Sequence, residues 1–201
     1  MVKRIVPNHC CGLIVDVQGF FLSQLDGRAR DLIEENTANF IRLLGYFRIP
    51  LIATLERPLA MKGGLPGEIE HELSALKRGL ATTFEKDFFD LTKEAKIKSH
   101  LARLKRRQMV VAGCETDVCV LQSCLGLLDL GYEVFAVEEL LFSSASDVAA
   151  ARTRMQAEGV VFLSYKTLYF ELLESVGGSR HAQKIEKTFG PFPGDLPEAA
   201  N

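Results

Sequence analysis

The sequence predicts a three-layer α/β/α fold built on an open, mostly parallel sheet. Three observations carry that prediction. Short apolar runs recur along the chain, most of them are continuous rather than alternating, and amphipathic helical patterns separate them. A strand covered on both faces reads as a continuous apolar run. Strands that alternate with helices imply crossover units and hence a parallel sheet. At 201 residues the chain fits one domain spanning 1–201.

The elements follow in order. Strand-like runs lie at 13–17, 50–55, 109–113, 132–137 and 160–163, with a weak sixth around 75–77. Residues 31–47 place Leu32, Ile33, Phe40, Ile41, Leu43 and Leu44 largely on one stripe, as an amphipathic helix requires. Residues 118–130 do the same with Leu121, Cys124, Leu125 and Leu128. Ser146 or Asp147 is placed to cap a helix running to Glu158, and 167–176 reads as a last packed helix. The stretch 56–79, with Pro58, Gly63, Gly64, Pro66, Gly67 and Gly79, reads as a rim loop. Pro191, Pro193 and Pro197 give residues 190–201 the character of an extended tail.

Composition narrows the function classes. Hydrophobic residues make up 47% and charged residues 25%, enough apolar material for a sizeable core. The formal charge is −2, so electrostatics give no reason to expect nucleic acid or an anionic membrane as partner. No apolar run approaches the roughly 18–20 residues that span a bilayer, and no signal peptide is read at the N-terminus. Five cysteines, an odd number without C-x-x-C spacing, point to free thiols and a reducing, cytoplasmic setting.

In an open α/β sheet, ligands bind beyond the carboxyl ends of the strands, near the point where strand order reverses. Asp16 lies at the end of the first strand, and Cys119 follows the strand 109–113 at the start of a helix. With Thr116 or Asp117 placed to cap that helix, a thiol there feels the positive end of the helix dipole and free backbone N–H groups, both of which favour thiolate. A buried carboxylate needs a partner or a raised pKa, so Asp16 is a candidate site residue. The bland readings are a small residue packed at a tight junction and an acid that accepts loop N–H bonds.

The segment Leu13-Ile14-Val15-Asp16-Val17-Gln18-Gly19-Phe20-Phe21 resembles the aspartate motif of the isochorismatase-like cysteine hydrolases. Val110-Val111-Ala112-Gly113-Cys114-Glu115-Thr116-Asp117-Val118-Cys119-Val120-Leu121-Gln122-Ser123 resembles their nucleophile motif. Gly131-Tyr132-Glu133-Val134 and Arg154-Met155-Gln156-Ala157-Glu158-Gly159-Val160 continue the likeness over nearly the whole chain. The resemblance implies a six-stranded Rossmann-like sheet and an Asp–Lys–Cys triad, with Cys119 as nucleophile and Asp16 as base. It also implies a cis peptide between Cys114 and Glu115, and an oxyanion hole made by the N–H groups of Glu115 and Cys119. Counting back from Thr82-Thr83-Phe84 puts Arg78 where the family has lysine, with Lys77 one residue earlier. Lys77 acting through a local bulge is the favoured reading and Arg78 the alternative. Gln18, Phe20, Phe21 and Glu56 are expected to shape the substrate pocket.

Similar nicotinamidases carry an Asp-x-His pair and a further His for a metal. The matching loop here is Thr54-Leu55-Glu56-Arg57-Pro58, and His9, His71, His100 and His181 are scattered. No metal and no other cofactor are expected. The resemblance thus implies a metal-independent hydrolase of an amide-like C–N bond in a small molecule, working as a homo-oligomer (dimer or tetramer). Two alternatives stand beside it: isochorismate-type vinyl-ether hydrolysis, and an impaired member serving as a binding or oligomeric module.

Overall fold

The computed structural model describes residues 4–173, so the 190–201 tail, His181 and the end of the expected 167–176 helix lie outside the described residues. Six strands form one sheet: β1 (Cys10–Val15), β2 (Leu51–Glu56), β3 (Ala81–Lys86), β4 (Gln108–Gly113), β5 (Glu133–Leu141) and β6 (Val161–Leu163). Their order is β3-β2-β1-β4-β5-β6 and every neighbouring pair is parallel. The chain winds outward from β1 to β3, returns to the other side of β1, and winds outward again. The reversal falls between β1 and β4.

The alternation of side chains along each strand divides the core in two. Cys10, Ile14, Val110, Ala112, Phe135 and Val137 point to one face. That face is covered by α2 (Gly27–Tyr46), α4 (Gly67–Ala75) and α8 (Tyr165–Leu173). Cys11, Leu13, Val15, Met109, Val111, Val134 and Ala136 point to the other. There they meet α5 (Ala95–Leu104), α6 (Leu121–Asp129) and α7 (Ala149–Glu158). Both faces are covered, which is why β1 and β4 are continuously buried and continuously apolar.

Two sequence expectations change. The stretch 56–79 is not one loop: it holds the single-turn α3 (Leu59–Lys62) and the longer α4, whose Ile69 and Leu73 are buried. The weak strand at 75–77 is instead the end of α4 and the turn after it, where Leu80 N–H bonds the Lys77 carbonyl at 2.9 Å. The strand itself is Ala81–Lys86. It lies at the sheet edge, so Thr83 and Glu85 face solvent and no continuous apolar run marks it. Helix starts also shift. α2 begins at Gly27, capped by Asp26, whose carboxylate accepts from Ala29 N–H at 2.9 Å, a contact worth about 1 kcal/mol. α7 begins at Ala149, whose N–H bonds Asp147 at 2.8 Å. A short turn, α1 (Gly19–Leu22), leads from β1 toward α2.

Candidate active site

The carboxyl ends of four adjacent strands converge at the reversal point. Asp16 follows β1 directly and has φ +52°, a left-handed conformation that aspartate tolerates better than most residues. Glu56 ends β2 and Lys86 ends β3, and the two are partners in the parallel register. Beyond β4 the chain passes through Gly113, a cis Cys114–Glu115 peptide and a π-helical turn, Thr116–Val120, that carries Cys119 into α6. Gly113 has φ +120°, and a Cβ there would stand 2.0 Å from the Val15 carbonyl oxygen. Only glycine lets β4 pass that close to β1.

Lys86 is the centre of the cluster. Its ammonium lies 2.6 Å from Asp16 Oδ2 and 3.5 Å from Glu56 Oε2, and it donates to the Phe88 carbonyl at 3.1 Å. The Lys86 and Asp16 side chains are both completely buried. Thr54, from β2, donates its hydroxyl to Asp16 Oδ1 at 2.8 Å. The Cys119 thiol, 2% exposed, donates to Glu56 Oε2 at 2.9 Å. Lys62, from α3, pairs with Glu56 Oε1 and sits over the Phe21 ring, 5.6 Å from its centre. Two carboxylates and two ammoniums therefore balance around a neutral thiol. Asp16, Glu56 and Cys119 bring possible ligand atoms within 4.8 Å of one another. The Lys86 ammonium stands beside both carboxylates and already supplies the positive charge there.

The titration of these groups follows from their surroundings. Burial raises the Asp16 pKa, while the Lys86 charge and hydrogen bonds from Lys86 and Thr54 oppose it. Burial would also raise Glu56, but hydrogen bonds from Cys119 and Lys62 and the charge of Lys86 bring it below its ordinary value. For Lys86, burial is outweighed by Asp16, Cys119 and Glu56, so its pKa is raised and it stays an ammonium. Burial pushes the Cys119 thiol strongly upward, and Asp16 and Glu56 add to this against Lys86. The helix-end argument for a low thiol pKa thus fails here. Thr116 donates its hydroxyl to the Phe142 carbonyl at 3.0 Å and Asp117 accepts from Ser143 at 2.6 Å, so neither caps the turn below Cys119.

The structure brings Asp16, Glu56 and Cys119 together and leaves out both basic candidates. Lys77 and Arg78 are exposed in the turn before β3, because the strand that brings a basic side chain inward starts later than the count assumed. Lys86, eight residues beyond Arg78, occupies that place. Gln18 is also reassigned. It is completely buried, its amide nitrogen donating to the carbonyls of Glu56 (3.2 Å) and Gly63 (2.8 Å). Its oxygen accepts from Glu56 N–H at 2.7 Å, so it clips the rim segment to β1 with both of its amide donors engaged. Phe21 is buried beneath Lys62, and Phe20 is 40% exposed at the rim. Among the described residues the Glu115 N–H has no hydrogen-bond partner, while the Glu115 carboxylate accepts from Ser144 N–H at 3.0 Å. Sequence reasoning missed Lys86, Lys62 and Thr54. Only the last residue of an alternating Thr-Phe-Lys pattern at 82–86 signalled Lys86.

The isochorismatase domain model matches residues 10–166, the whole sheet and every residue of the cluster. The chain belongs to the isochorismatase family. "Isochorismatase family protein 2A" of Dictyostelium discoideum is 30% identical over 184 residues, covering 87% of this chain and 88% of its own. Among solved structures, the YcaC gene product of Escherichia coli, an octameric hydrolase of unknown specificity, superposes with a TM-score of 0.82 at 20% identity, covering 95% of this chain and 93% of that one. MAR1 ribonuclease of Caenorhabditis elegans gives 0.80 at 21% identity, with 92% of each chain covered. At such identities the two structures establish the shared fold alone. The isochorismatase-family sheet thus sets the frame, and this chain's own side chains must decide its chemistry.

Proposed function

We propose that this isochorismatase-family chain is a cysteine hydrolase that cleaves an amide-like C–N bond of a small molecule. Cys119 is the nucleophile, Asp16 the general base, and Lys86, in place of Lys77 or Arg78, holds the charges between them. The observation that carries this reading is the fully buried Lys86 ammonium 2.6 Å from Asp16, with the Cys119 sulfur in the same cluster. Burial makes Asp16 a stronger base than an ordinary carboxylate. As the sulfur bonds to the carbonyl carbon, its proton passes to Asp16. The oxyanion meets the free N–H of Glu115. Collapse breaks the C–N bond, and Asp16 returns the proton to the leaving amine. Water then attacks the thioester, losing a proton to Asp16, and releases the acid and the regenerated thiol.

A closed site and a formal charge of −2 favour a small substrate over RNA. The five cysteines are free and buried, which fits a reducing compartment and supports a cytoplasmic setting. No helix among the described residues is long and apolar enough to cross a membrane. The octameric relative supports a homo-oligomer here, readable by light scattering on the eluting protein. The deciding experiment screens small amides and ureas for amine release. Cys119→Ala should lose about a thousandfold or more of any activity found. Full retention by that variant, or cleavage of RNA in place of every small amide, overturns the assignment.

A further inference from the structure

We infer that Glu56 is a positioning residue for the resting nucleophile, accepting the Cys119 S–H and holding the thiol protonated until substrate enters. This rests on Cys119 being the nucleophile and adds a second carboxylate to its site. The geometry is specific. Glu56 Oε2 lies 2.9 Å from the Cys119 sulfur, and Oε1 pairs with Lys62. The Glu56 backbone is fixed at both its N–H and its carbonyl by the Gln18 amide. With its backbone held by Gln18 and its Oε1 by Lys62, the carboxylate is set to present Oε2 to the sulfur.

The groups facing the sulfur each have a sign. Glu56 of β2 accepts from it and Asp16 beyond β1 lies within 4.8 Å of it, while the Lys86 ammonium of β3 pairs with both of those carboxylates and Lys62 of α3 stands on the far side of Glu56. The Cys114 thiol, which donates to the Asp16 carbonyl at 3.0 Å, stays protonated through burial and adds no charge. Two carboxylates within 4.8 Å of the sulfur oppose thiolate, and one buried ammonium favours it. The two acids also divide their work. Glu56 is held below its ordinary pKa by its hydrogen-bond donors and neighbouring ammoniums, which makes it an acceptor of hydrogen bonds and a weak base. Asp16 is raised by burial and is the stronger base. The thiol proton therefore rests on the sulfur, pointed at Glu56, and leaves it for Asp16 only when the sulfur turns to attack.

Two measurements on the full chain test this without a known substrate. The rate at which iodoacetamide alkylates Cys119, which is proportional to its thiolate fraction, is followed by mass spectrometry between about pH 7 and 9, with the Cys119→Ala variant as the blank. Glu56→Gln removes a negative charge and offers an amide donor to the sulfur, so alkylation at a given pH should quicken by at least about tenfold. Glu56→Asp, which keeps the charge, should quicken it less. The Raman S–H band of the wild type minus Cys119→Ala, at neutral pH, should report a strongly hydrogen-bonded thiol, and needs no change at Glu56. An unchanged alkylation rate in Glu56→Gln, or an S–H band that is absent or free of hydrogen bonding, overturns the inference. Turnover by Cys119→Ala would instead sink the enzymatic assignment, whichever way these readings fall.

Discussion

Lys86 and Asp16 show what a single buried pair demands of its neighbours. Neither side chain has any exposed surface, so each charge depends on its buried partners, the other above all, in place of water. Removing one member leaves the other buried and uncompensated, which costs about 3–5 kcal/mol, whereas removing both together is often nearly neutral. Lys86→Met is therefore expected to lower urea stability by about that amount. Combining it with Asp16→Asn should recover most of the loss, read as a double-mutant cycle. If the double variant is as unstable as the sum of the singles, the pair is not what holds this part of the sheet. Lys77→Ala and Arg78→Ala, in an exposed turn, should leave stability within about 0.5 kcal/mol of the parent.

At the scale of elements, the site is the product of strand ends brought close and a rim tied down. Gly113 permits the approach of β4 to β1, with φ +120° and the Val15 carbonyl where a side chain would start. Gly113→Ala is expected to cost at least about 2 kcal/mol, because both the backbone conformation and the contact turn unfavourable. The urea midpoint checks this, and a loss under about half of that would mean the strands can part without penalty. Gln18 does the complementary work, binding β1 to β2 and to Gly63 with three hydrogen bonds. Gln18→Ala leaves buried backbone groups unsatisfied, at about 1–3 kcal/mol. It should also make residues 57–66 an early site of protease cleavage, whereas cleavage at the parent's rate would show that α3 is held by other contacts.

The whole molecule carries its five thiols neutral and buried. Burial pushes Cys10, Cys11 and Cys124 from an ordinary 9.0 to about 12. Between those values an unfolded chain ionises these thiols while the native chain keeps its protons. The native state then binds more protons, and stability falls as pH rises. The loss begins near pH 9 and should reach roughly 1 kcal/mol per thiol for each pH unit above it. Lys86, raised by its partners, contributes stability that persists below the ordinary lysine pKa, so it does not weaken this window. Urea unfolding under reducing conditions between pH 7 and 10.5 measures the slope, and a flat profile above pH 9 would contradict the burial of the thiols.

The sequence by itself determined five of the six strands and half of the candidate site. Continuous apolar runs at β1, β4 and β5 exist because those strands are covered on both faces, and such burial leaves a local mark that can be read without neighbours. Asp16 and Cys119 were legible for the same reason, each standing where an apolar strand gives way to polar chain. Tertiary structure decided the rest. β3 lies at the sheet edge, so half of its side chains face water, and its pattern cannot be told from that of a turn and a short helix. A count back from Thr82-Thr83-Phe84 therefore reaches Arg78 and Lys77, whereas the buried lysine beside Asp16 is Lys86. The roles of Glu56, Lys62 and Gln18 are pairings across 30 to 63 residues of chain, or six within the rim segment. A charge's partner is chosen by the distance across the sheet, and no spacing along the chain records it.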